Sequence, residues 1–249
     1  MQYRASLFMM SMGQMLFVAI DFAGMWALFA RFGSVRGWRL PEVALFYGLV
    51  RTAFPFAEAF GRGFDVFSGL VKGGGFDRLL LRPRSAALQV AGAEVTLFRV
   101  GRLAQGLVVL IWSANALGID WTLGRISLVV LTVIGGACFF FALLVLQATL
   151  AFWTTETLEI MNAVTYGGTE TGKYPLTIYH PWFRKFFTFV IPLACVSYFP
   201  ALTILGRADQ ALGSPRWFQC LSPLIGVLFL AASLQVWKFG VRHYRSTGS

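Results

Sequence analysis

Charge is scarce in this chain. Of its 249 residues 13% are Asp, Glu, Lys or Arg, against about 25% in an ordinary soluble domain, and that deficit argues against a soluble enzyme. Histidine is limited to His180 and His243, with no paired carboxylates beside either, whereas a metal centre needs several converging ligands. The three cysteines, Cys138, Cys195 and Cys220, lie in apolar stretches without zinc or redox spacing. They read as buried free thiols, with a Cys195 to Cys220 disulfide as the alternative. No Gly-x-Ser-x-Gly turn and no metalloprotease helix occurs. One near-motif, Gly167-Gly168-Thr169-Glu170-Thr171-Gly172-Lys173-Tyr174, matches a phosphate-binding loop except at its last position. Such a loop needs Ser or Thr after the lysine and a helix beyond it, and Tyr174-Pro175 supplies neither.

What the chain has is apolar surface: 57% hydrophobic residues, 25 Phe, 8 Trp and a mean hydropathy of +0.67. Intrinsic disorder is excluded, and a polytopic all-α membrane protein remains. At about 20 residues per span, the length accommodates six spanning helices and no separate soluble domain. The net charge of +10 is scattered between apolar runs, which suits anionic headgroups or an acidic partner and not nucleic acid. The first run, 7–30, is too long for a signal peptide and reads as the first span. Further spans are expected at 41–60, 97–116, 126–146 and 221–239.

Two stretches depart from this pattern. Residues 61–94 are the most polar and hold Lys72, a Gly73-Gly74-Gly75 hinge, and Asp77-Arg78-Leu79-Leu80-Leu81-Arg82-Pro83-Arg84. A short amphipathic helix is expected there, ending at Pro83, with Arg78 and Arg82 on one face; docking into a partner and resting on anionic headgroups are both open to it. Residues 154–205 contain Glu156, Glu159 and Glu170, then an apolar run broken by Pro192 and Pro200. Prolines at membrane depth persist where protein or a water-filled cavity covers the freed backbone. The preferred reading makes 157–171 a short fifth span and 174–205 a re-entrant hairpin from the far side. The rival makes 183–205 the fifth span and leaves 154–182 in the cytoplasm, and the positive-inside rule favours it by moving Lys173, Arg184 and Lys185 inward.

Ionisable residues inside spans each cost about 2.5 to 3.5 kcal/mol on insertion scales, so Asp21, Arg51 and Glu58 call for partners or a cavity. Arg51 and Glu58 are seven apart, on one helical face. An internal Asp21 to Arg51 ion pair and a route lined by these groups are both open. Arg99 and Arg102 lie nearer a membrane face and can snorkel. Phe139-Phe140-Phe141 and Phe186-Phe187 read as lipid-facing or helix-packing surface, and Trp38, Trp121, Trp182 and Trp217 as interfacial anchors.

Two segments carry a family resemblance. Lys72-Gly73-Gly74-Gly75-Phe76-Asp77-Arg78-Leu79-Leu80-Leu81-Arg82-Pro83 is similar to an element of the ABC-2 type permeases, in a bacterial branch of subunits of about this length. Tyr174-Pro175-Leu176, Tyr179, Pro181-Trp182, Arg184, Ile191-Pro192-Leu193 and Ser197-Tyr198-Phe199-Pro200-Ala201 resemble the extracellular segment that follows the fifth helix of the wider superfamily. The tail, 244–249, also resembles the branch's ending. The resemblance implies one permease domain over 1–249, with six spanning helices, a cytoplasmic coupling helix within 61–94, a re-entrant hairpin within 174–205, and both termini in the cytoplasm of a bacterium. It implies a dimer with an identical or heterologous permease, seated on two ATPase subunits that hold ATP and Mg; no cofactor is expected on this chain. Lys72, Asp77, Arg78, Arg82 and Arg84 become the expected ATPase-coupling residues. Asp21, Arg51, Glu58 and Glu159 become candidates for the translocation path. The rival functions are an integral membrane enzyme acting on lipid-linked substrates, with Glu58, Glu156 or Glu159 as acid or base, and a passive channel or assembly factor.

Overall fold

The structure, a computed structural model, describes residues 2–94, 100–154 and 158–244. It is all-helical apart from one two-stranded hairpin. Helix α1 (Gln2–Phe32) leads into that hairpin, β1 (Ser34–Val35) and β2 (Trp38–Arg39). The two turn residues, Arg36 at φ 49° and Gly37 at φ 79°, are both left-handed, as a tight hairpin twisted like its strands requires. Helix α2 (Leu40–Asp65) then returns beside α1, started by Pro41 in its first turn. It continues almost without interruption into α3 (Phe67–Lys72).

That continuation corrects the expected boundary. Residues 61–72 extend the second span as helix and are not a loop, so the composite Leu40–Lys72 is 33 residues long, about 50 Å at 1.5 Å per residue. Helices α4 (Gly75–Leu80) and α5 (Ala86–Ala93) fold back at its end, after Gly74 reverses the chain at φ 64°. Next come α6 (Val100–Ala116), α7 (Leu123–Leu150) and α8 (Leu158–Gly172). The broken segment follows as a 3-10 turn (Leu176–Ile178), α9 (Pro181–Lys185), a π-helical turn (Phe186–Val190), α10 (Leu193–Val196) and α11 (Tyr198–Leu205). Helix α12 (Arg216–Leu221) and α13 (Leu224–His243) close the chain. The start of the expected third span, the Arg99 side chain, Glu156 and the tail beyond Tyr244 lie outside the described residues.

Helix α2 is the central post, packed along α6 on one side and α7 on another, with α13 along α7. Small residues allow these approaches. A Cβ on Gly106 would lie 2.6 Å from the Arg51 backbone, and one on Gly48 2.8 Å from Leu110 Cα. Likewise a Cβ on Gly226 would lie 2.0 Å from the Gly135 carbonyl oxygen. Phe139 and Phe140 are buried and pack on Phe54 and Phe229, so they serve helix packing. All three cysteines are free.

Among the described residues, three helices are long and apolar enough to cross a membrane: Leu40–Lys72, Leu123–Leu150 and Leu224–His243. Pro181–Val190 with Leu193–Leu205 would add a fourth if counted as one span, but the pair is bent by 77°. The ends of that bent segment meet the same hairpin. Thr177 accepts the Trp38 indole N–H (2.9 Å) and its carbonyl accepts from Arg36 (3.3 Å), while Arg207 donates to the Gly37 carbonyl (3.3 Å). Between these ends, Leu193 lies against Gly172 and Val196 against Gly226. Trp38 itself is buried, stacked under Arg207, and is not the interfacial anchor expected; Trp121, Trp182 and Trp217 are exposed.

Candidate functional site: a mid-bundle charge network and a basic tip

The face of α2 that carries Arg51 and Glu58 also carries Asp65, so a polar residue recurs every seven positions. Each is matched from another helix. Arg51 Nη2 lies 2.5 Å from Asp21 Oδ2 on α1 and 3.6 Å from Glu170 Oε1 on α8. Lys173, just past α8, reaches both acids, at 2.8 Å to Asp21 and 2.5 Å to Glu170. The Tyr47 hydroxyl donates to Asp21 (3.3 Å), and both cations lie near the Tyr47 ring. One turn pair deeper, Arg102 of α6 bonds Glu58 at 3.2 Å. Deeper still, Arg62 pairs with Asp65, and Gln147 of α7 bridges Asp65 (3.4 Å) and Asn162 of α8 (3.0 Å).

The upper cluster balances two carboxylates against two cations, which is how charge is tolerated at low dielectric. Its exposure is uneven: the side chains of Lys173 and Arg51 are 2% and 12% exposed, while that of Glu170 is 60% exposed. Glu170 therefore faces outward from a network whose cations are inside. Beside it a cavity of about 360 Å3 is lined by Arg51, Phe54, Arg102, Tyr166, Thr169 and Glu170. It lies between α2, α6 and α8.

Of the expected path residues, the structure brings Asp21 and Arg51 together and joins Glu58 to Arg102. Glu159 is exposed in the first turn of α8, three helical turns from Glu170. Sequence reasoning passed over three participants: Arg102, read as snorkelling; Lys173, counted only as a loop charge; and Glu170, noted without a role. The last two belong to the phosphate-loop look-alike, whose residues 167–172 are the final turns of α8. A helix that ends at the depth of Asp21 and Arg51 puts its C-terminal cation where two acids need it.

The expected coupling residues sit at the other end of the composite helix, about 50 Å from the hairpin at 1.5 Å per residue. Phe76 of α4 is fully buried among Phe67, Phe152, Trp237 and Tyr244, fixing α4 to the bundle. Beside Tyr244, burial and then the Asp77 carboxylate push the phenol pKa up. Lys72, Arg78, Arg82 and Arg84 are exposed, Asp77 half-buried. The expected apolar side divides: Leu79 packs inward, whereas Leu80 and Leu81 face out, Leu81 at 85% exposure. Helix α4 stops at Leu80, because Pro83 offers no N–H and disfavours helix in the residue before it. Arg82 thus lies past the helix and does not share a helical face with Arg78. Gln89 of α5 holds the turn, donating to the carbonyls of Leu79 and Arg84 at 3.0 Å each.

No curated protein and no solved structure matches the chain. A family profile described as ABC-2 family transporter protein matches residues 15–248. With nearly the whole sequence inside that profile, the chain belongs to the ABC-2 family transporter proteins and is a membrane-spanning permease of an ABC transporter.

Proposed function

We propose that the chain is an export permease that works as a dimer, with an identical or a different permease, and draws on ATP hydrolysed with Mg by two separate ATPase subunits. The membrane is a bacterial plasma membrane. Six segments cross it: α1, the α2–α3 composite, α6, α7, the short α8, and α12 with α13; both termini face the cytoplasm. Residues 174–205 form a re-entrant hairpin on the far side. What supports this is that Thr177 and Arg207 attach to one hairpin while Val196 between them reaches Gly226. On this reading the basic residues of the far face are tolerated despite the positive-inside rule.

The observation that carries the reading is the exposed basic and leucine-bearing tip, Lys72 to Arg84, braced on an aromatic seat at the end of the central helix. An exposed patch of that kind suits docking into a groove on an acidic partner. The same helix carries Arg51 and Glu58, so displacement of the tip would act directly on the charge network. Asp21, Arg51, Glu58 and Glu170 then line the path at the dimer interface, and Glu159 stands at its cytoplasmic mouth. The test is affinity purification of the tagged chain from its native membrane. An ABC ATPase should accompany it in stoichiometric amount, and its hydrolysis should be vanadate-sensitive. Recovery of the chain with no ATPase under mild detergent would overturn the assignment.

A further inference from the structure

We infer that the hairpin end of the molecule holds a binding site for a phosphoryl group. A cavity of about 370 Å3 opens there, lined by Arg36, Trp38, Thr177, Tyr198, Arg207 and Gln210 among others. It is built from the hairpin, the 3-10 turn, α11 and the loop after it, segments far apart in sequence. Two guanidinium groups border it. Two buried carboxylates stand behind its wall: Glu42 pairs with Arg207 at 2.6 Å, and Asp209 accepts from the Tyr198 hydroxyl at 3.3 Å; neither lines the cavity, whose charged lining side chains are the two arginines.

Both arginines are held in place by geometry. Arg36 is the one non-glycine residue with positive φ among those described, a backbone state that costs about 1 to 2 kcal/mol for an L-residue. Asn would fit that turn position better, so its arginine is unexplained by the turn alone. Its guanidinium is anchored to the Thr177 carbonyl at 3.3 Å. Arg207 is stacked 4.3 Å above the Trp38 ring and tied to the Gly37 carbonyl. A guanidinium with its plane fixed by stacking and one edge occupied presents its other edge as a preset fork. Two guanidinium forks lining one cavity suit the oxygens of a tetrahedral phosphoryl dianion. The Gln210 amide adds a neutral donor on the rim. A phosphomonoester headgroup in the far leaflet and free phosphate share this chemistry.

The test uses the full chain in nanodiscs of phosphatidylcholine, native and as Arg36→Asn, which keeps the turn and removes the charge. Inorganic phosphate is titrated by calorimetry, and water-soluble dihexanoyl phosphatidic acid by native mass spectrometry. Arg36→Asn should keep the native melting temperature and weaken binding by about tenfold, the loss expected for a hydrogen bond to a charged group. Saturable binding of phosphatidic acid that millimolar phosphate does not displace identifies the lipid headgroup as the source; phosphate binding that displaces it identifies the free anion. Equal binding to native and variant protein overturns the inference. So does equal affinity for succinate, since the site would then read charge without phosphoryl geometry. Arg36→Lys is a second check: it should recover part of the affinity but not the fork.

Discussion

Lys173 is the most deeply enclosed charge of the upper network, and its loss leaves Asp21 and Glu170 with Arg51 alone. The side chains of Asp21 and Glu170 are 32% and 60% exposed, so the cost falls below the roughly 3 to 5 kcal/mol of a fully buried pair, and Lys173→Met should still lower the detergent melting temperature. Asp21→Asn combined with Lys173→Met should recover much of that loss, a coupling that a double-mutant cycle on thermal unfolding measures. Simple addition of the two losses would show that the residues do not act as a pair. Glu58→Gln should leave the complex assembled with its basal ATPase and reduce export, because Arg102 then lacks its carboxylate beside the cavity; failure of insertion or subunit association would assign Glu58 a structural role only. Sequence made Asp21, Arg51 and Glu58 visible because a charge inside an apolar run stands out. Lys173 and Glu170 were not, because the span expected over 157–171 put Glu170 in its last turn and Lys173 just beyond it, where a charge at a helix end draws no attention. Glu159 and Glu170 are eleven residues apart, three turns along one face, so the face of α8 was legible and the turn was not.

At the scale of elements, the close crossing of α2 and α6 sets the spacing of Arg51 and Arg102. Gly106→Val places carbon within 2.6 Å of the Arg51 backbone and should force the helices apart, with a loss of thermal stability and of export together. A fully active, native-melting variant would contradict the packing. The proposed re-entrant placement of residues 174–205 is tested by accessibility: His180→Cys and Lys185→Cys, each in a chain lacking the native cysteines, should react with an impermeant thiol reagent on intact spheroplasts. Labelling only after permeabilisation would place the segment in the cytoplasm. The loop after α11 is organised by Asp209, which accepts from the backbone N–H groups of Ala211, Leu212 and Ser214 and from the Ser214 hydroxyl. Burial pushes this carboxyl up, but those hydrogen bonds outweigh it and hold its pKa below the ordinary 3.8. A depressed folded pKa stabilises above the unfolded value and ceases to as pH falls through the folded one. The stability gap between the native chain and Asp209→Asn should therefore be full above pH 3.8 and narrow below it; a gap independent of pH would refute the role. Helix positions followed hydropathy closely, but the hairpin, the extension to Lys72 and the early stop of α4 did not, since the first is decided by the turn residues Arg36 and Gly37, the last by Pro83, and the second by burial of Phe64 and Phe67.

For the whole molecule, a helical post of about 50 Å joins three sites: the arginine-bordered cavity at the hairpin, the charge network beside α1 and α8, and the basic tip. Sequence pattern and family resemblance pointed to the residues of the tip and to Asp21, Arg51 and Glu58 of the network, but not to Arg102, Lys173 or Glu170. The cavity was not legible, because its residues come from four separate parts of the chain. Docking of the ATPase on the tip is tested by Arg82→Glu, because Arg82 lies exposed in the turn that Gln89 fixes. Like charges would meet across the docking interface, whereas a turn resting on lipid would lose only about 1 kcal/mol of attraction. The measurement is the ATPase copurified per permease, together with export. The Arg82→Glu permease should remain in the membrane at native abundance but lose its ATPase or uncouple hydrolysis from export; native copurification with native export would show that the ATPase does not dock on the tip.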